Sequence, residues 1–169
     1  LPKIIVNTLT NICVDDMQDV KIENIGKENT WNDIERENDF KNLVKKAVKK
    51  ALVTGSSRGI GRKIVEVFLA NGCEVWGLCT KPSKAKDELE KCASDNGVSF
   101  HEICCDCGDA AALKECIKGA LEASGGFDVL VNNAGITRDG LSFAMPMENW
   151  QDVINVNLTA PFVINQLVS

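Results

Sequence analysis

From about Ala47 onward the chain alternates short apolar runs with longer stretches whose apolar residues recur every three or four positions. Ala51-Leu52-Val53-Thr54 is a short run closed by a glycine, the pattern of a buried parallel strand. Ile60, Ile64, Val67 and Phe68 then predict a helix with one apolar face, ending at Asn71-Gly72. Glu74–Cys79 reads as the second strand. A charged helix over about Ser83 to Ala93 follows, broken by Ser94-Asp95-Asn96-Gly97. Val98 to Cys104 is the third strand. Asp109 is placed to cap a helix whose face is Leu113, Cys116, Ile117, Ala120, Leu121 and Ser124, stopped by Gly125-Gly126. Asp128 to Val131 is the fourth strand. A last helix starts near Met147 and carries Trp150, Val153, Ile154, Leu158 and Phe162, with Pro161 expected to kink it.

Strands alternating with helices predict an α/β fold with a doubly wound parallel sheet. Right-handed crossovers make 3-2-1-4 its natural strand order. Residues 1–42 differ: they are rich in Asn, Asp and Glu, with only scattered apolar positions. They are expected to be an appendage, and residues 43–169 the patterned domain.

Composition removes several functions. A net charge of −5 disfavours nucleic acid or an anionic membrane as partner. No apolar run approaches the roughly 18 residues of a membrane span. The eight cysteines (Cys13, Cys73, Cys79, Cys92, Cys104, Cys105, Cys107 and Cys116) fall mostly within apolar patterns. That distribution suits reduced thiols in a cytoplasmic protein rather than a disulfide framework.

The chemistry concentrates at two strand ends. Thr54-Gly55-Ser56-Ser57-Arg58-Gly59-Ile60-Gly61 turns the first strand into the first helix. A pyrophosphate held there needs a tight turn at Gly55, an unobstructed backbone at Gly59 and close helix–sheet packing at Gly61. Ser57, Arg58 and Ile60 belong to the same loop. The helix N-terminus adds free N–H groups and a positive partial charge. After the fourth strand comes Asn132-Asn133-Ala134-Gly135. The end of the second strand, Cys79-Thr80-Lys81, carries no acid to accept from a ribose 2′-hydroxyl. Arg58, Thr80 and Lys81 could instead hold a 2′-phosphate, so NADP(H) is the expected cofactor.

With these two motifs in place, residues from about Lys49 to Ser169 resemble the short-chain dehydrogenase/reductase family. Within it, Asn133 to Leu141 is most similar to the 3-oxoacyl-[acyl-carrier-protein] reductases. The resemblance implies a Rossmann-type fold and NADPH-dependent reduction of a carbonyl, with an acyl-carrier-protein-bound or small 3-oxoacyl substrate and homo-oligomers when complete. It implies that Asp106 accepts from the adenine amino group beside the Cys107 backbone, with a helix-capping aspartate as the alternative. It sets Asn133, with Ala134 and Gly135, near the nicotinamide ribose, and leaves Asn132 to brace the turn. It makes Asn157 the asparagine that kinks its helix and holds a water of the proton relay.

The family's chemistry is completed by a tyrosine acid with a lysine four residues on and a serine. The chain contains no tyrosine. The expectation is therefore a fragment, incomplete at its C-terminus and inactive alone, with an unpaired edge at the fourth strand and an uncovered apolar face on the last helix. Two alternatives remain: a non-catalytic nucleotide-binding subunit completing its sheet with a partner chain, and a thiol redox protein using Cys104 and Cys107. One histidine and a single C-x-x-C do not make a closed zinc site, so no metal is expected.

Overall fold

The computed structural model describes residues 4–7, 12–13 and 49–169. Its strands are β1 (Ile4–Asn7), β2 (Ile12–Cys13), β3 (Lys50–Thr54), β4 (Glu74–Cys79), β5 (Phe100–Cys104) and β6 (Val129–Asn132). The helices are α1 (Gly59–Ala70), α2 (Lys86–Asp95), α3 (Ala110–Ser124), α4 (Met147–Ile154) and α5 (Ala160–Val168), with a π-helical turn over Asn155–Thr159 joining the last two. The sheet order is β2-β1-β6-β3-β4-β5. Strands β3 to β6 are mutually parallel in the predicted 3-2-1-4 order.

Each face of the sheet carries its own core. Val53, Val75, Phe100 and Val131 pack with Val65 and Leu69 of α1 and Leu89 of α2. On the other face, Leu52, Trp76, Leu78 and Leu130 pack with Leu113 and Ile117 of α3 and Ile164 and Val168 of α5. These strands are buried on both sides, which is why they read as continuous apolar runs.

Three expectations change. The edge of the fourth strand is not unpaired: β1 lies parallel to β6, from Ile4 opposite Val129 to Asn7 opposite Asn132, and β2 adds antiparallel to β1. Part of the presumed appendage thus satisfies the open backbone groups of that edge. The buried line of α1 is Gly61, Val65 and Leu69, while Ile60 and Val67 are 71% and 52% exposed. Gly61 fixes this rotation, because a Cβ there would lie 2.2 Å from the Gly55 carbonyl oxygen. In the last segment Ala160, Ile164 and Val168 are the buried residues, and Trp150, Leu158 and Phe162 face outward.

The break expected at Pro161 takes the form of the π turn that precedes it. The Ala160 N–H reaches back to the Asn155 carbonyl, five residues away. Pro161 has no N–H with which to continue an α-helical ladder. Among the described residues no helix is long and apolar enough to cross a membrane.

Candidate functional site

A cleft of about 750 Å³ opens at the C-terminal ends of β3, β4 and β6. Its walls include Gly55, Ser57, Arg58, Gly59, Ile60 and Gly61 of the first loop, Thr80 after β4, Asp106 and Cys107 after β5, and Asn133, Ala134 and Gly135 after β6. The crevice outside the strand ends is where open α/β sheets bind ligands. Of the sequence-predicted binding residues, only Lys81 is not part of the wall; it is exposed beside Thr80.

The glycine loop is built for close approach. Gly55 has φ +68°, and a Cβ there would stand 2.9 Å from the Asn133 amide nitrogen. Gly59, at φ +58°, has no atom within 4 Å of where its Cβ would be, so its backbone faces open space. No side chain caps the N-terminus of α1. Its first N–H groups are therefore available to an anion, with the helix dipole behind them.

One hydroxyl joins the two motifs. Thr54 Oγ1 accepts the backbone N–H groups of Asn133 (3.0 Å) and Ala134 (2.9 Å) and donates to the Val131 carbonyl (3.4 Å). The Asn133 amide nitrogen donates to the carbonyls of Thr54 (3.0 Å) and Gly55 (3.2 Å). The bracing expected of Asn132 thus falls to Asn133. Asn132 instead donates to the Asn165 amide oxygen of α5 at 3.0 Å.

Asp106 is not the cap of α3. Asp109 fills that role, accepting from the N–H groups of Ala111 and Ala112, both at 3.0 Å. Asp106 accepts the Gly108 N–H at 2.8 Å and stays exposed at the cleft wall. Asn157 lies in the π turn and does not line the cleft. Its amide clasps the Ile136 backbone, accepting from the N–H and donating to the carbonyl, both at 2.9 Å. Ile136 does line the cleft, so Asn157 shapes the wall from behind.

Two positioning residues escaped the sequence reading. Thr54 opens the glycine-loop motif, but no sequence signal assigned its hydroxyl the role of joining the two loops. Gly77, inside β4, lets Ser56 approach: a Cβ at Gly77 would meet Ser56 Oγ at 2.7 Å, and Ser56 bonds the Leu78 carbonyl through both its N–H (3.1 Å) and its hydroxyl (3.2 Å). The only available signal was a glycine interrupting an apolar strand.

Burial holds two of the thiols at the end of β5 in their protonated form. Burial, reinforced by Asp106, pushes Cys107 up to about 11. Burial also pushes Cys105 up to about 12, with Cys116 as its hydrogen-bond neighbour. A redox pair of Cys104 and Cys107 would need a thiolate favoured at its helix N-terminus, the opposite of what Cys107 experiences.

A doubly wound sheet with a glycine-cradled helix N-terminus over its strand ends defines a dinucleotide-binding architecture. A family model described as short chain dehydrogenase matches residues 49–169, and the chain belongs to that family. It is 44% identical over 115 residues to the 3-oxoacyl-[acyl-carrier-protein] reductase FabG of Chlamydia pneumoniae, covering 66% of this chain and 45% of the relative. The Escherichia coli (strain K12) FabG is 39% identical over 121 residues, 71% of this chain and 48% of the relative. Among solved structures, a short chain dehydrogenase from Burkholderia cenocepacia J2315 in complex with NADP is similar at TM-score 0.66 and 34% identity, covering 71% of this chain and 49% of that one. A blue fluorescent protein from a metagenomic library, in complex with NADPH, matches at TM-score 0.66 and 33% identity, covering 71% and 49%. The chain spans about half the length of the curated relatives it matches.

Proposed function

We propose that this chain binds NADP(H) as the cofactor-holding part of a carbonyl reductase of the 3-oxoacyl-[acyl-carrier-protein] type. The observation that carries the reading is the joined pair of motifs: the glycine cradle of β3–α1, fastened through Thr54 and Asn133 to the turn after β6. In this reading the uncapped α1 amides take the pyrophosphate, and Asp106 takes the adenine amino group. Arg58 and Thr80, both on the cleft wall, hold the 2′-phosphate with Lys81 beside them, since no carboxylate follows β4. Asn133 to Gly135 form the floor beneath the nicotinamide ribose. Bound NADPH supplies the hydride. Asn157 keeps the Ile136 segment in place and has both amide atoms committed to that task.

The exposed Trp150, Leu158 and Phe162 favour self-association in the assembled enzyme. The alternative is a non-catalytic nucleotide-binding subunit that completes its sheet with a partner; with β1 on the β6 edge, a partner strand would add at the outer edge of β2 or β5.

The test is titration of the folded chain with NADPH and NADH. NADPH binds more tightly, and Arg58→Ala reduces the preference by about 1.5–3 kcal/mol, the worth of a charge-assisted contact. Equal affinity for the two cofactors in the unmutated chain would sink the assignment.

A further inference from the structure

Three side chains converge at the ends of β4 and β5, one of them, Cys79, also on the cleft wall and none of them assigned a cofactor contact. Cys79 and Cys104 are register partners across these parallel strands. Glu102 lies two residues before Cys104, hence on the same face of β5. The two sulfurs and a Glu102 carboxylate oxygen all lie within 4.8 Å of one another. Cys79 is buried, Glu102 half-buried and Cys104 exposed, so the cluster is anchored in the sheet and open to solvent on one side.

The carboxylate is already oriented. Glu102 Oε1 accepts the Ser83 N–H at 3.0 Å, and Oε2 accepts from the Cys104 thiol at 3.8 Å. Ser83 is itself held in place: its hydroxyl donates to the Ser57 carbonyl at 3.3 Å and accepts the Ala85 N–H at 3.1 Å. A fixed outer partner of this kind is what positions a ligating carboxylate.

We infer that Cys79 Sγ, Cys104 Sγ and one Glu102 oxygen form a binding site for a thiophilic divalent cation of the zinc class, with solvent as the fourth ligand. Zinc bonds of about 2.0–2.3 Å put tetrahedral ligands roughly 3.3–3.8 Å apart. Closing the cluster from within 4.8 Å therefore takes side-chain movement of about an ångström, with the strands in place. Two sulfurs select zinc over the hard, oxygen-preferring magnesium and calcium. Binding releases the two thiol protons to solvent and leaves the ion joined to two thiolates and a carboxylate. No electron transfer is involved.

This is not the site that the C-x-x-C suggested. Cys107 packs in the core on the opposite face of the sheet. His101, one residue from Glu102, points to that opposite face, stacks on Trp76 with ring centroids 4.2 Å apart and bonds Glu74 at 2.8 Å. A bound ion would clip the ends of β4 and β5 together and, through Glu102 and Ser83, tie them to the glycine loop. The inference stands independently of the cofactor reading.

The experiment uses the reduced, metal-free full chain titrated with Co²⁺, a spectroscopic substitute for zinc. The expected result is one Co²⁺ per chain with a thiolate-to-cobalt charge-transfer band and tetrahedral d–d bands, both displaced by Zn²⁺. Zn²⁺ also raises the melting temperature, and chelator reverses the rise. Cys104→Ser, an exposed substitution, abolishes the band; Glu102→Gln weakens binding; Cys107→Ser leaves the band intact. Circular dichroism verifies that each variant is folded. The inference is overturned if the reduced chain shows no band, if the band survives Cys104→Ser, if Glu102→Gln binds unchanged, or if the two cysteines only form a disulfide.

Discussion

Two helical stretches flank the cleft, and they meet solvent in opposite ways. Helix α1 leaves the glycine loop and buries Gly61, Val65 and Leu69 against the sheet. Helix α4, on the far side, has no buried residue at all; Met147 is 75% exposed and Trp150 is 54% exposed. Both segments are amphipathic in sequence. Periodicity therefore states that an apolar face exists and not what covers it. The covered helix is the one whose start is locked by backbone contact, Gly61 against Gly55. The uncovered one hangs from a π turn and is fastened to the cleft wall by Asn157.

The strongest challenge to this contrast is catalytic. The α1 side can hold a cofactor, but the α4 side offers no tyrosine acid, since the chain contains none, and the Asn157 amide is bonded to the Ile136 backbone. We expect the 169-residue chain alone to turn over 3-oxoacyl thioesters about 10²–10⁴-fold more slowly than an enzyme with a placed general acid, before any loss of substrate orientation is counted. NADPH absorbance measures this, and brisk turnover by pure chain would mean that another residue donates the proton.

Stability separates the two helices next. Leu69→Ala empties a fully buried site and should cost about 2–5 kcal/mol. Trp150→Ala removes a larger ring yet should change stability by no more than about 0.5 kcal/mol in the dissociated chain. Urea unfolding of both variants decides it. A costly Trp150→Ala at low protein concentration would show that α4 is packed after all.

The junction between the motifs should respond less, but in two readouts at once. Thr54→Val keeps the shape and removes the acceptor of the Asn133 and Ala134 N–H groups, an expected loss of about 1–3 kcal/mol. NADPH affinity should fall with it. Stability lost with affinity unchanged would detach the brace from the cofactor site.

A last effect, confined to alkaline pH and absent at neutral pH, lies in the two cores. Burial raises Cys73 and Cys107 to about 11 from 9.0, and Cys79 and Cys105 to about 12. The folded chain then keeps thiol protons that the unfolded chain releases. This stability is complete below about pH 9 and is lost as pH rises through 11. Urea midpoints across that window should decline, and Cys107→Ala should flatten the slope; an unchanged slope would place the titration elsewhere.

The local sequence determined the parallel strands β3 to β6, their order and the glycine loop. The reason is that each rests on short-range chemistry: buried apolar runs, helix caps such as Asp109, and glycines where a Cβ would collide. It also supplied, through two motifs, the two loops that face each other across the cleft. Tertiary structure decided the rest. The pairing of β1 with β6 joins residues far apart in the chain, and no local pattern around Ile4–Asn7 announces it. The rotation of α1 follows from the contact of Gly61 with Gly55, and the bracing by Asn133 rather than Asn132 from where Thr54 and Asn165 come to rest. Cys104 looked like the partner of Cys107 because they are neighbours in sequence. Strand alternation and register set it beside Glu102 and Cys79 instead, since side chains meet across a sheet by face and pairing, not by spacing along the chain.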